Sequence, residues 1–263
     1  MDNNSSTPPE FIEIGNEKIA VRHRDGNNPD IFWLGGYRSN MLGTKAQALD
    51  CWAEKKNISF TRHDYSGHGE STGKYFEGTI SKWLNQSLTV FRRYAKNNRQ
   101  ILIGSSLGCW IALRMVMELN KKPPFPISGL LLIAPAPDFT KELMEPRLTV
   151  EDKENLKTKG FFEEKSDYFE KNIWQLETLE DAEKNNLVLS SNLTPNCPVH
   201  IIYGLKDTSV PLKLVDKLVS VLPKESFVKT IIEDGEHQLS RPEDIEVILR
   251  SLDDLIAKES SLN

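Results

Sequence analysis

The sequence predicts an α/β protein, a mostly parallel sheet with helices on both faces. Three observations lead there. Short, continuous apolar runs at 31–34, 101–103 and 130–133 read as strands covered on both faces. They alternate with stretches whose apolar residues recur at helical spacing, the pattern of strand–helix–strand units. A third mark is Gly104-Ser105-Ser106-Leu107-Gly108, a sharp turn between the run 101–103 and the apolar segment 109–113. The 263 residues suffice for one large domain with a sizeable core, so residues 1–263 are read as a single unit.

The elements follow in order. Phe11 to Arg22 reads as a hairpin turning at Gly15-Asn16, after a polar start that looks disordered. Ile31-Phe32-Trp33-Leu34 is a buried strand ending at Gly35-Gly36, and Lys45 to Lys56 reads as a helix. Ile58 to His63 is the next strand, stopped by the turn-rich Ser66-Gly67-His68-Gly69. Ile80, Trp83, Leu84, Leu88 and Phe91 mark an amphipathic helix. The strand before the Ser106 turn, the helix after it, and the strand Leu130 to Ile133 complete the first half. Val199 to Tyr203 and Phe227 to Ile232 are the last strands, and Ile245 to Ile256 is a closing helix.

One segment interrupts the alternation. From 138 to 196 there is no convincing strand, only charged helical stretches carrying Phe139, Leu143, Met144, Phe161, Phe162, Tyr168, Phe169 and Trp174. An insertion that long is rarely an idle loop, and it is read as a helical lid over the strand ends.

Bulk properties exclude several classes. A net charge of −5 provides no basic field for nucleic acid. No apolar run is long enough to span a bilayer, and Met1 to Ser6 is neither a signal nor an Arg-rich transit peptide. Cys51, Cys109 and Cys197 are odd in number, widely spaced and set among apolar residues, so buried thiols in a reducing cytoplasm are expected rather than disulfides or zinc. No dinucleotide fingerprint, Walker loop or HExxH occurs, and neither cofactor nor metal is expected.

The chemistry is expected beyond the C-terminal strand ends. A Gly-x-Ser-x-Gly turn between strand and helix raises the central Ser106 above the sheet, with the helix dipole behind it. A serine hydroxyl needs an adjacent base that is itself oriented by a third group. Of the five histidines, His237 stands just past the last strand, in a loop opened by Gly235, and is the expected base. His200 lies within an apolar strand, His23 near the hairpin, and His63 and His68 flank a turn-like loop with Asp64 that lacks metal-ligand spacing. Asp207, after the penultimate strand, is the expected acid; Asp234 is its rival, close along the chain to His237, and Glu236 reads as a surface charge. Backbone N–H groups of Leu107 and Tyr37 are the expected oxyanion donors.

These residues resemble the α/β-hydrolase superfamily. The order Ser106, Asp207, His237, the stretches 34–41, 43–46, 64–67 and 104–108 with Trp110, Asn196-Cys197-Pro198, the Gly204-x-Lys206-Asp207 turn and Lys159-Gly160-Phe161 are similar to one subgroup. That subgroup holds the mitochondrial palmitoyl-protein thioesterase, also a mycophenolic-acid acyl-glucuronide esterase, and its bacterial relatives. The resemblance implies a cofactor-free serine hydrolase of α/β-hydrolase fold acting on small-molecule or acyl-protein esters and thioesters, with oligomeric state left open. Other readings of the same residues are an aminopeptidase, with lid acids such as Glu142 or Glu145 clamping a substrate amine, a C–C bond hydrolase, or a non-catalytic binding protein.

Overall fold

Alternation of apolar side chains along the strands decides which helix covers which face. The computed structural model describes residues 8–96, 99–121, 127–165, 170–191, 193–224 and 226–260. Its strands are β1 Glu10–Ile14, β2 Glu17–Arg24, β3 Asn27–Leu34, β4 Ile58–His63, β5 Gln100–Ser105, β6 Ile127–Ile133, β7 Phe161–Lys165, β8 Lys171–Gln175, β9 Val199–Gly204 and β10 Phe227–Ile232. Its helices are α1 Thr44–Lys56, α2 Ile80–Tyr94, α3 Leu107–Leu119, α4 Val150–Lys159, α5 Leu176–Asn185, α6 Leu212–Val221 and α7 Pro242–Ser260.

Eight strands form one sheet in the order β1-β2-β4-β3-β5-β6-β9-β10. The hairpin β1–β2 is antiparallel and joins β4 antiparallel, and every pairing from β4 to β10 is parallel. Along β3, Phe32 and Leu34 point to one face, where Leu102, Leu130 and Ile201 meet apolar residues of α2, α3 and α6. Ile31 and Trp33 point to the other, where Ile103, Leu131 and Ile202 pack on α1 and α7. Burial of such side chains on both faces stabilises the fold by roughly 1.5–3 kcal/mol each. The mostly parallel sheet with helices on both faces is as expected.

The segment between β6 and β9 departs from the expectation of helices alone. It carries a π-helical turn (Thr140–Met144), a short 3₁₀ turn, then α4, the antiparallel hairpin β7–β8, and α5. The hairpin forms because Phe162 lies opposite Trp174 and both turn inward onto Met144 and Leu156. Glu163 and Lys171 pair at 2.7 Å on the outside. Period-two alternation was therefore present, obscured by the charged outer positions. Tyr168 and Phe169 lie outside the described residues. Helix α6 has no counterpart among the predicted elements, and Cys51 is exposed rather than buried, since its side chain leaves the outer side of α1.

Asp138 ties the two ends of this segment together. Its buried carboxylate accepts the N–H of Val188 at 3.4 Å and of Leu189 at 2.8 Å. Burial pushes it up to about 6, against the two N–H donors; Glu142 adds to the rise and Arg114 opposes it. The folded state thus holds this proton more tightly than the unfolded chain. Protonation of Asp138 favours folding at pH 4, and that contribution is lost as pH rises through about 6. Asp138→Asn is expected to remove this dependence. The unfolding free energy of the variant minus that of wild type, from urea titrations, should grow by about 2 kcal/mol between pH 4 and pH 7.

Candidate active site

The turn after β5 places Ser106 in a backbone conformation (φ 53°, ψ −115°) that is costly for any residue bearing a Cβ. It is held by the Ser106 N–H donating to Ile133 O at 2.9 Å and by α3, which begins at the next residue. His237 enters from the loop after β10. Its Nε2 lies 3.1 Å from Ser106 Oγ, and its Nδ1 lies 2.7 Å from Asp207 Oδ2.

Asp207 is fixed before it meets the imidazole. Its Oδ1 accepts the N–H groups of Ser209 and Val210, both at 2.8 Å, and its side chain is fully buried. The loops bearing Asp207 and His237 also touch through backbone. A Cβ on Gly204 would lie 2.4 Å from Gly235 O, and the Lys206 N–H donates to that same oxygen at 2.8 Å. Only glycine permits that approach.

The structure thus brings together Ser106, His237 and Asp207 and leaves the rival acid aside. Asp234 is exposed and bound to Arg241 Nη1 at 2.6 Å, and Glu236 is exposed. His200 is a buried strand residue whose Nε2 meets Thr230 Oγ1 at 2.8 Å. His23 stacks on Tyr94 at the far hairpin.

Gly35-Gly36-Tyr37 leaves β3 directly over the turn. A Cβ on Gly36 would sit 3.6 Å from the Cβ of Ser106, which brings the backbone of this loop against the hydroxyl-bearing residue. Among the described residues, neither the Tyr37 nor the Leu107 N–H has a backbone hydrogen-bond partner. The loop at 63–71 buttresses this arrangement: Asp64 accepts the Met41 N–H at 2.6 Å, and the Tyr65 hydroxyl donates to Gly35 O at 3.2 Å. Burial draws His63 down to about 3 and His68 to about 4, so both are neutral near pH 7. Among the described residues no group of three His, Cys, Asp or Glu could hold a metal ion.

Above Ser106 lies a cavity of about 490 Å³. One side is walled by Leu107, Ala136, Phe139, Leu143, Met144 and Trp174, several of them from the 138–196 segment. Trp174 stacks on the Tyr37 ring (centroids 4.8 Å apart, 15° between planes) and so links the hairpin to the loop over Ser106. That ring contact was not read from the sequence; an isolated Trp in a charged segment was its one signal. Glu142 is engaged by Lys217, and neither it nor the exposed Glu145 belongs to the cavity wall among the described residues. The alternative in which they clamp a substrate amine finds no support in this arrangement. Lys45, read from the sequence only as the start of a helix within the 43–46 stretch, reaches back from α1 to Gln238 O and to Ser240 Oγ at 3.2 Å. Among the described residues no helix is long and apolar enough to cross a membrane.

No family model matches the chain. It is similar to the human protein named palmitoyl-protein thioesterase ABHD10, mitochondrial, at 31% identity over 251 residues, covering 93% of this chain and 78% of that relative. The bovine protein of that name is 30% identical over the same shares. Among solved structures, a putative hydrolase from Agrobacterium vitis S4 superposes with a TM-score of 0.89 at 40% identity, covering 94% of this chain and 97% of that one. Mouse alpha/beta hydrolase domain-containing protein 10 gives 0.85 at 29% identity over 96% and 99%. The Est1E structure from Butyrivibrio proteoclasticus, with 0.74 at 15% identity, shares the fold.

Proposed function

The chain belongs to the ABHD10 palmitoyl-protein thioesterase family of α/β-hydrolases, and from that premise we propose that it cleaves carboxylic esters or thioesters through an acyl-enzyme on Ser106. Hydrolysis of esters or thioesters is the activity its relatives support. The observation that carries the finer reading is the single imidazole of His237 bridging Ser106 Oγ and a carboxylate locked by two amides.

In the first step Ser106 Oγ attacks the substrate carbonyl carbon while its proton passes to His237 Nε2. Asp207 accepts a hydrogen bond from Nδ1–H, keeps the imidazole in the tautomer whose Nε2 is open, and stabilises the imidazolium that forms. The Leu107 and Tyr37 N–H groups take the oxyanion, each contributing about 3 kcal/mol to barrier lowering. Collapse breaks the carbon–oxygen or carbon–sulfur bond, and the leaving atom takes the proton from His237. Water then attacks the acyl-Ser106, delivering its proton to His237, and the acid departs as Oγ is reprotonated.

The 138–196 segment serves in this reading as a lid, part of the one domain that spans 1–263. Its Phe139, Leu143, Met144 and Trp174 form an apolar wall suited to a fatty-acyl chain. Acyl thioesters and p-nitrophenyl esters of two to sixteen carbons test this. A rise in kcat/KM toward longer chains is expected, and a flat response or a preference for acetyl removes the fatty-acyl assignment. The buried Cys109 thiol suits a reducing compartment. The cytoplasm is the proposed location, against the mitochondrion in the relatives' names, and cell fractionation decides between the two.

A further inference from the structure

Part of the cavity wall is polar, and its features are those of an anion site. Gly43, Thr44, Lys45 and Ala46, the start of α1, form part of its wall. Gly43 caps that helix without any side-chain hydrogen bond, so the first-turn amides of a 13-residue helix carry their partial positive charge into the cavity wall. Trp33 also belongs to this wall; it is 3% exposed, and its Nε1–H has no hydrogen-bond partner among the described residues. An orphaned buried donor is costly unless a ligand satisfies it.

Lys45 adds a full charge. Among the described residues its ammonium donates to two neutral oxygens, Gln238 O and Ser240 Oγ. The carboxylate of Asp244, which acts on it from α7, is itself held by Arg241 at 2.8 Å. Burial draws Lys45 down to about 8, with Asp244 and Cys109 opposing, as befits a desolvated cation with no counter-ion in contact among the described residues. The one carboxylate in the cavity wall among the described residues, Glu164, lies on β7 and accepts the Trp174 Nε1–H at 3.0 Å.

We propose that Lys45, the Trp33 indole N–H and the first turn of α1 form a subsite for a carboxylate carried by the substrate's leaving group. The assignment rests on Ser106 and His237 acting as nucleophile and base. His237 protonates the leaving atom, so the leaving group must lie on the His237 side. Lys45 is on that side, bonded to the residue following His237, while the apolar wall of Phe139 and Trp174 takes the acyl chain. One ammonium and one indole N–H match a single monovalent carboxylate.

Matched substrates test this: the octanoyl thioesters of 3-mercaptopropionate and of 3-mercaptopropionamide, equal in acyl chain and differing in one charge. Wild type is expected to favour the carboxylate by about tenfold in kcat/KM, expressed mainly in KM. Lys45→Gln should bring that ratio to about one, and Lys45→Arg should keep most of it. Trp33→Phe removes the N–H together with part of the buried ring and should lower the ratio about threefold, which keeps the test alive if Lys45→Gln does not fold. A wild-type ratio near one overturns the subsite. So does a Lys45→Gln enzyme that loses activity on both thioesters with the ratio unchanged, because Lys45 would then merely tie down the Gln238 loop. Wild type that hydrolyses neither thioester overturns the hydrolase reading itself, and the subsite with it.

Discussion

His237→Ala is expected to lower kcat by about a millionfold, with the folded state retained. The imidazole is the sole link between Ser106 Oγ and the Asp207 carboxylate, at 3.1 Å and 2.7 Å. Without it the hydroxyl must lose its proton to water, and the leaving atom departs without an acid. Removing the base also removes the purpose of Asp207, so the loss should equal that of the triple replacement of Ser106, His237 and Asp207 rather than add to it. Folding should survive because Asp207 keeps its bonds from the Ser209 and Val210 N–H groups. Initial rates on p-nitrophenyl octanoate, with urea midpoints as control, check this; a folded variant within tenfold of wild type would refute the assigned base.

Asp207→Asn should cost about 10⁴ in kcat while leaving geometry nearly intact. The reason lies in the two oxygens of Asp207, which do different work. Oδ1 accepts two backbone N–H groups, and Oδ2 faces His237 Nδ1. In the variant the amide oxygen must keep the backbone donors, so the NH₂ is turned toward the imidazole. A donor there selects the tautomer with the proton on Nε2, the nitrogen that has to accept from Ser106. The expected signature is a collapse in kcat with KM little changed, and a urea midpoint near that of wild type. A loss confined to KM would mean that Asp207 shapes the cavity instead.

Much of this arrangement is visible in the residues before any coordinates. Continuous apolar runs mark β3, β5, β6 and β9 because both sheet faces are covered, and the face of each side chain follows from period two. The order Ser106, Asp207, His237 and the rule that chemistry gathers beyond strand ends single out the three residues the folded chain brings together. What stayed hidden depends on neighbours distant in sequence. The hairpin β7–β8 carries Glu163, Lys165 and Lys171 outward, so its alternation reads as charge rather than strand. Lys45 looks like any helical surface lysine until α1 is seen to aim it at Gln238, 193 residues away. Asp138 similarly has no local pattern, since its partners Val188 and Leu189 lie across the whole insertion. The 63–71 loop reads in sequence as turn-like and without metal-ligand spacing, and its place beneath Gly35 emerges only from the Tyr65 hydroxyl.

The proposed reaction depends on one oxygen, Ser106 Oγ, being nucleophilic. Incubating the native protein with a fluorophosphonate, then determining intact mass and the modified peptide, examines that oxygen alone. One adduct per chain is predicted, located on Ser106, absent in Ser106→Ala and formed far more slowly in His237→Ala. Natively folded wild type that takes up no label, or takes it up on a residue other than Ser106, would contradict it.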